Sequence, residues 1–194
     1  LGYFYSALGV ETTFLVRSCM LRKEDIDVQA EFQKTFLKEQ DVRIGAQTKK
    51  ATFQNGVYQV VYRDTHNNEY TIEADALLVA AGVRANTDSL GLENTSIELD
   101  SRGFIKVDDY LRTTAEGVYA YGDAIGRELY RHTANFEGEY LVDQLLNDGP
   151  PKPLDYSPIP HAVFSNPQIG GVGKTEQDLK SEGVDYIVGL NPYA

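Results

Sequence analysis

The sequence contains a single cysteine and few basic residues, and each shortage excludes a class of protein. Cys19 is the only cysteine among 194 residues, so an internal disulfide framework and a metal site built from several cysteines are excluded. We predict no metal site. Eighteen lysines and arginines stand against 29 aspartates and glutamates, for a net charge of −11. A chain of this balance offers no broad basic surface for nucleic acid.

Long apolar runs are also absent. The longest, around residues 76–82, is far too short to cross a bilayer, so no membrane partner is expected. No secretory signal opens the sequence, and the expected location is the cytoplasm. The remaining composition, with 42% apolar and 24% charged residues, is typical of a globular protein.

The first 45 residues alternate between helix and strand, as one half of a doubly wound α/β domain does. Val28, Phe32 and Phe36 recur every four residues and give the longer helix one apolar face. The predicted elements are helices over 3–8 and 24–39 and strands over 11–16 and 42–44.

The pattern then changes to an antiparallel meander. Asn55-Gly56 is a strong hairpin signal, because a type I′ turn needs positive φ at both central positions. The apolar run Ala76–Ala80 follows the meander and suits a strand buried on both faces. The predicted strands of the meander are 51–53, 57–63 and 70–74.

The second half of the chain combines short strands with one long helix. The helix, predicted over about 131–147, has an apolar face made of Ala134, Gly138, Leu141, Val142 and Leu145. Residues 147–153 are rich in glycine and proline and predict a linker. The other predicted elements are strands over 104–107, 118–121, 162–165, 169–172 and 186–190, and a short helix capped by Thr175.

Asp123 is the first candidate ligand-binding residue. Its carboxylate stands directly beyond the carboxyl end of a predicted strand, where open α/β sheets bind ligands. There it can accept hydrogen bonds from sugar or ribityl hydroxyls, although a turn or helix cap explains the same position. His132, beside Arg131 at a predicted helix start, is a second candidate, because a helix N-terminus attracts negative charge.

Three segments match the signature sequences of a known family. Residues 114–123 (TAEGVYAYGD) resemble a second FAD-binding signature, and residues 77–87 (LLVAAGVRANT) resemble a segment that joins a nicotinamide domain back to a flavin domain. Residues 159–176 (IPHAVFSNPQIGGVGKTE) are similar to the opening of a dimerisation domain. On these segments, which stand in the family's order and spacing, nearly the whole chain resembles the pyridine nucleotide–disulfide oxidoreductases.

The resemblance implies an α/β fold with parts of two Rossmann-like FAD/NAD(P)-binding domains plus the start of an α+β interface domain. The implied boundaries are 1–82 for the C-terminal half of the NAD(P)-binding domain with its meander, 83–149 for the C-terminal part of the FAD-binding domain, and 150–194 for the start of the dimerisation domain. Family members also carry GxGxxG turns, a CxxxxC redox disulfide and a His–Glu acid–base pair, none of which this sequence contains. The chain is therefore expected to be an inactive fragment without catalytic residues, which retains no cofactor by itself.

The resemblance also implies which residues contact the cofactors. Asp123 would hold the ribityl hydroxyls of FAD, and the helix that begins near residue 131 would direct its N–H groups at the pyrimidine edge of the flavin. The implied flavin contacts are Gly122, Asp123, Arg131, His132 and Thr133. The implied contacts along the path of the adenosine or nicotinamide are Ala81 and Gly82.

A small basic loop bears on the choice of coenzyme. Relatives that use NADH carry an acid after the second nicotinamide-domain strand, whereas this sequence has Arg17, with Ser18 and Arg22 close behind. A basic island in an acidic chain fits a 2′-phosphate, so NADPH is the favoured coenzyme. This loop resembles those of glutathione, mycothione or mercuric reductases more than that of dihydrolipoamide dehydrogenase.

The function implied for the intact protein is FAD-dependent reduction of a disulfide by NAD(P)H, as in dihydrolipoamide dehydrogenase. Its implied partners are a small-molecule or protein disulfide and a second copy in a homodimer. One alternative is an NAD(P)H oxidase or ferredoxin-reductase-type flavoprotein without a redox disulfide, against which residues 159–176 argue. The other alternative is a non-catalytic α/β binding module.

Overall fold

The computed structural model describes residues 1–156 and 158–191, which fall into two compact units. Leu1–Val79 and the segment that begins at Pro160 make up the first unit, and Ala80–Ile159 makes up the second. No helix among the described residues combines the length and the apolar character that a membrane crossing requires. The domain boundaries after residues 82 and 149 refer to intact family members and stay a prediction.

The first unit opens with a β–α–β crossover. Its elements are α1 (Gly2–Ala7), β1 (Thr13–Val16), α2 (Ile26–Glu39) and β2 (Asp41–Ile44). The two strands pair in parallel, and α2 buries Phe32 and Phe36. The Phe36 ring meets the Phe14 ring of β1 edge-on, with 5.3 Å between the centroids. The apolar face predicted for α2 is therefore the face that packs.

The meander follows directly and is confirmed. Its strands, β3 (Gln47–Gln54), β4 (Val57–Arg63) and β5 (Glu69–Ala74), pair antiparallel in the order of the chain. Asn55 has a φ of 54° and Gly56 a φ of 81°, so the turn has the positive φ values that this dipeptide favours.

The second unit is built mostly of loops packed on one helix, α3 (Arg131–Leu146). Its other helical elements are single 3₁₀ turns at Leu92–Asn94 and Gly122–Ala124. The core of this unit consists of Leu111, Ile125, Leu141 and Leu154. Leu141 is the helix's contribution to that core, which fixes α3 beside the Gly122–Ala124 turn.

The last segment returns to the first unit. It contains β6 (Pro160–Val163), β7 (Ile169–Val172) and α4 (Glu176–Glu182), and the two strands pair antiparallel. Thr175 accepts the N–H of Asp178, and the Asp178 side chain accepts the N–H of Thr175. This capping box confirms the helix start predicted at Thr175.

The strands predicted at 76–80, 104–107, 118–121 and 186–190 do not form. Ile105 and Tyr119 each make a single bridge, to Leu99 and Arg112 respectively. In the described part of the chain, residues 76–80 and 186–190 pair with no strand. A β-strand needs a neighbour whose backbone groups complete the ladder, so β-propensity alone was not enough.

Candidate functional site

Asp123 lies in the 3₁₀ turn that precedes α3 in the second unit. Tyr121 enters the turn in an extended conformation, and Gly122 has a φ of +69°, a value that favours glycine. A Cβ on Gly122 would stand 3.2 Å from the Cβ of Ala134 on α3. Glycine therefore lets the turn lie against the helix, while the exposed Asp123 side chain stays accessible to a ligand.

Glu137 anchors this turn from inside the unit. Its side chain is fully buried on α3, and Oε2 accepts the backbone N–H of Gly122 at 2.5 Å. The Tyr156 hydroxyl donates to Oε1 of the same carboxylate at 2.6 Å. Burial and then the bond to Glu137 raise the pKa of the Tyr156 hydroxyl well above its ordinary value, so Tyr156 keeps its proton as a donor.

Arg127 packs over Tyr156. Its guanidinium carbon lies 5.4 Å from the centroid of the tyrosine ring. The guanidinium also donates to the carbonyl oxygens of Val107 at 3.2 Å and Asp108 at 3.0 Å. Tyr156 is thus held at its hydroxyl by Glu137 and over its ring by a cation that the backbone fixes.

An open concavity of about 620 Å³ lies beside the turn. Its lining residues include Tyr121, Asp123, Arg131, Asn135 and Gly138. A Cβ on Gly138 would approach the Tyr121 ring to 3.3 Å, so this glycine lets the ring pack against α3. The structure therefore brings the predicted Asp123 and Arg131 together at one surface.

The first backbone N–H groups of α3 lie at the same place. The N-cap residue of this helix is Tyr130, whose side chain makes no capping hydrogen bond, and the first N–H groups of a helix have no partner within the helix. Thr133 is 1% exposed, and its Oγ1 has no hydrogen-bond partner among the described residues. Arg131 and His132 are exposed. Such a helix end is suited to negative charge.

The coenzyme residues predicted from sequence divide between the two units. Arg17, Ser18 and Arg22 are exposed in the loop after β1 in the first unit, and no described carboxylate pairs with either arginine. Ala81 and Gly82 are exposed in the second unit. The roles of all five residues stay predictions.

Glu137, Tyr156 and Arg127 were missed by sequence reasoning. The predicted apolar face of α3 was wrong in part, because Val142 is 58% and Leu145 57% exposed. The buried residues of α3 are instead Thr133, Glu137 and Leu141. These three residues recur every four positions, and this spacing was the available signal that Glu137 shares a buried face with Thr133 and Leu141. A buried acid needs hydrogen-bond donors from elsewhere in the chain.

Known proteins resemble the chain along its whole length. The family described as "Pyridine nucleotide-disulphide oxidoreductase" matches residues 1–138. The mitochondrial dihydrolipoyl dehydrogenase of Dictyostelium discoideum is 34% identical over 100% of this chain and 40% of its own length. The mercuric reductase of Lysinibacillus sphaericus is 34% identical over 99% of this chain and 35% of its own length.

The solved structure of the HOCl-induced flavoprotein disulfide reductase RclA from Escherichia coli is also similar. It has a TM-score of 0.80 and 27% identity, over 95% of this chain and 42% of that one. The chain thus spans about two fifths of the length of the proteins that it matches. The predicted α/β fold class with Rossmann-like parts is confirmed by this agreement.

Proposed function

The chain belongs to the pyridine nucleotide-disulphide oxidoreductase family, and from this we propose that it forms part of a flavoprotein disulfide oxidoreductase similar to dihydrolipoamide dehydrogenase. The observation that carries the proposal is the meeting of Asp123 with the uncapped start of α3 at one concavity. A carboxylate beside a row of backbone N–H groups offers acceptors for hydroxyls and donors for an electron-rich ring edge.

The residues at this concavity fit FAD. The buried Thr133 Oγ1 has no partner among the described residues, and Gly122 and Gly138 let the turn and the Tyr121 ring lie close against α3. FAD, when bound, accepts hydride from a nicotinamide and passes electrons to a disulfide. Asp123 would accept hydrogen bonds from the ribityl hydroxyls. The first turn of α3, residues Arg131 to Thr133, would donate N–H groups to the flavin and stabilise negative charge on the ring.

NADPH is the coenzyme that we propose for the first unit. Arg17 and Arg22 follow β1 of a β–α–β crossover, are exposed, and make no ion pair with a described carboxylate. Guanidinium groups in that state are suited to the 2′-phosphate that distinguishes NADPH from NADH, because arginine binds phosphate through charge-assisted hydrogen bonds. Ser18 would add a hydroxyl donor in the same loop.

The remaining chemistry belongs, in this proposal, to residues outside these 194. The chain contains one cysteine, so the redox disulfide and the acid–base pair would come from the rest of a longer, cytoplasmic, homodimeric protein. The names of the relatives suggest dihydrolipoamide or mercuric ion as substrates. The 194 residues alone would supply cofactor contacts without turnover.

The test is an assay of the full-length protein after purification. We expect a yellow protein whose flavin is reduced by NADPH and which then reduces a disulfide such as lipoamide or glutathione disulfide. Consumption of NADPH only in the presence of oxygen would favour an oxidase instead. A colourless full-length protein with no reductase activity would favour the non-catalytic binding module.

A further inference from the structure

We propose that Glu137 is a positioning residue, whose buried carboxylate holds the Gly122–Asp123 turn in the conformation that presents Asp123 to the ligand. The Tyr156 hydroxyl in turn holds the Glu137 carboxylate in place. The consequence for flavin binding rests on the proposed function, whereas the contacts that carry the inference lie entirely within the second unit. Three segments of that unit converge on this one carboxylate: the turn at Gly122, helix α3 and the stretch around Tyr156.

A buried carboxylate at this position needs an explanation. Glu137 is 0% exposed, and removing an ionisable group from water is unfavourable unless hydrogen bonds replace the lost hydration. An apolar side chain such as leucine would fill the same helix position without that cost. The carboxylate instead binds donors 15 residues before it and 19 residues after it. Compared with an apolar residue, Glu137 therefore adds two hydrogen bonds that fix the positions of Gly122 and Tyr156.

Gly122 is where a fixed geometry is needed. Glycine can adopt its φ of +69° without strain, but the same freedom gives the turn many other conformations. The bond from the Gly122 N–H to Oε2 of Glu137 fixes the Tyr121–Gly122 peptide plane, one residue before Asp123. The direction in which the Asp123 side chain leaves the turn thus depends on Glu137.

Tyr156 in turn prevents the carboxylate from rotating. Its hydroxyl binds the second oxygen, Oε1, at 2.6 Å. The ring lies 5.4 Å from the guanidinium carbon of Arg127, and that guanidinium is bound to two backbone carbonyls. With both oxygens bound, the carboxylate is held in the orientation that accepts the Gly122 N–H.

Three substitutions separate positioning from general stability. Glu137→Gln keeps an oxygen for the Gly122 N–H and an NH₂ group that can donate to the Tyr156 oxygen, so it should preserve the anchor. Glu137→Leu keeps the bulk and removes both acceptors. Glu93→Gln removes a charge at an exposed position of the same unit and serves as the control.

The first readout is amide hydrogen exchange at Gly122, measured by NMR on this chain. We expect Glu137→Leu to accelerate exchange at Gly122 about 10- to 100-fold, the equivalent of a lost hydrogen bond to a charged group. Glu137→Gln and Glu93→Gln should stay close to wild type. The Lys106 amide, which binds the Glu98 carbonyl in the same unit, should be unaffected in every variant. Unchanged exchange at Gly122, or equal acceleration at Gly122 and Lys106, overturns the inference.

Tyr156→Phe keeps the inference testable if Glu137→Leu does not fold, and the FAD affinity of the full-length protein supplies a second readout. Tyr156→Phe removes only the hydrogen bond from the tyrosine hydroxyl to Glu137. It should accelerate exchange at Gly122 by a smaller factor than the one expected for Glu137→Leu. In the full-length protein, the dissociation constant for FAD should rise about tenfold or more in Glu137→Leu. It should rise by a smaller factor in Tyr156→Phe and stay close to the wild-type value in Glu137→Gln. A mobile Gly122 with unchanged FAD affinity refutes the positioning role. A wild-type protein that binds no FAD refutes the proposed function, and the exchange data then still decide whether Glu137 anchors the turn.

Discussion

His161 Nε2 lies 2.8 Å from Oε1 of Glu24, although 137 residues separate the two in sequence. Both side chains are largely buried, with 17% and 9% of their surfaces exposed. The pair joins β6 to the loop before α2 within the first unit. Gly171 on β7 lies under it, since a Cβ there would come within 2.6 Å of the His161 ring.

Glu24→Ala should lower the free energy of unfolding by about 1–3 kcal/mol, because it leaves the imidazole without its carboxylate in a poorly solvated place. Urea denaturation followed by circular dichroism measures the change. Glu31→Ala, which removes a carboxylate that is 69% exposed, should change stability by less than about 1 kcal/mol. Equal losses of unfolding free energy from the two substitutions would show that the buried pair stabilises the fold no more than an exposed carboxylate does.

The stability of the chain should fall at alkaline pH, in part through Tyr156. Burial and the bond to Glu137 raise the pKa of its hydroxyl above the ordinary value of 10.0. As the pH rises past 10, the unfolded chain releases this proton while the folded chain retains it, so unfolding becomes more favourable. Tyr156→Phe should make the decline less steep, by less than about 1.4 kcal/mol per pH unit, the limit for one proton. Parallel stability profiles of the two proteins above pH 10 would contradict this.

Arg17→Glu in the full-length protein should shift the preference from NADPH towards NADH about 10- to 100-fold, the effect of losing one charge-assisted contact to the 2′-phosphate. The measured quantity is the ratio of kcat/KM for the two coenzymes. Lys34→Glu, an exposed charge reversal on α2, is the matched control and should leave the ratio unchanged. Equal kcat/KM for the two coenzymes in the unsubstituted protein would remove the basis of this prediction.

The 194-residue chain should purify without colour even though it carries the Gly122–Asp123 turn that we propose as a flavin contact. FAD contacts spread over a long ligand, and this sequence holds no GxGxxG turn for the pyrophosphate, so most of the binding energy would be missing. An absorption spectrum after gel filtration measures the retained flavin. A stable flavin spectrum would show that these residues bind FAD unaided.

Local signals predicted much of the fold. Asn55-Gly56 predicted the first turn of the meander and Thr175 the start of α4, because both act through their own backbone neighbours. The apolar run at 76–80 predicted a strand that does not form, since a strand depends on a partner that no local pattern reveals. The sequence alone does not show which other strand, if any, pairs with residues 76–80.

The candidate site was predicted only in part for the same reason. Asp123 and Arg131 were found through a signature segment and a helix start, and they line one concavity. Glu137 was missed because its role depends on two hydrogen-bond donors, Gly122 and Tyr156, that are distant from it in sequence. A glutamate on a helix is ordinarily exposed, so only its burial distinguishes this one.

The most direct test of the proposed flavin site is the dissociation constant for FAD of the full-length protein with Asp123→Ala, compared with Glu93→Ala as an exposed control. If Asp123 accepts hydrogen bonds from the ribityl hydroxyls, as proposed, its removal should weaken FAD binding about 10- to 100-fold, while the control binds like the unsubstituted protein. Unchanged affinity in Asp123→Ala would mean that the turn beside α3 does not hold the flavin.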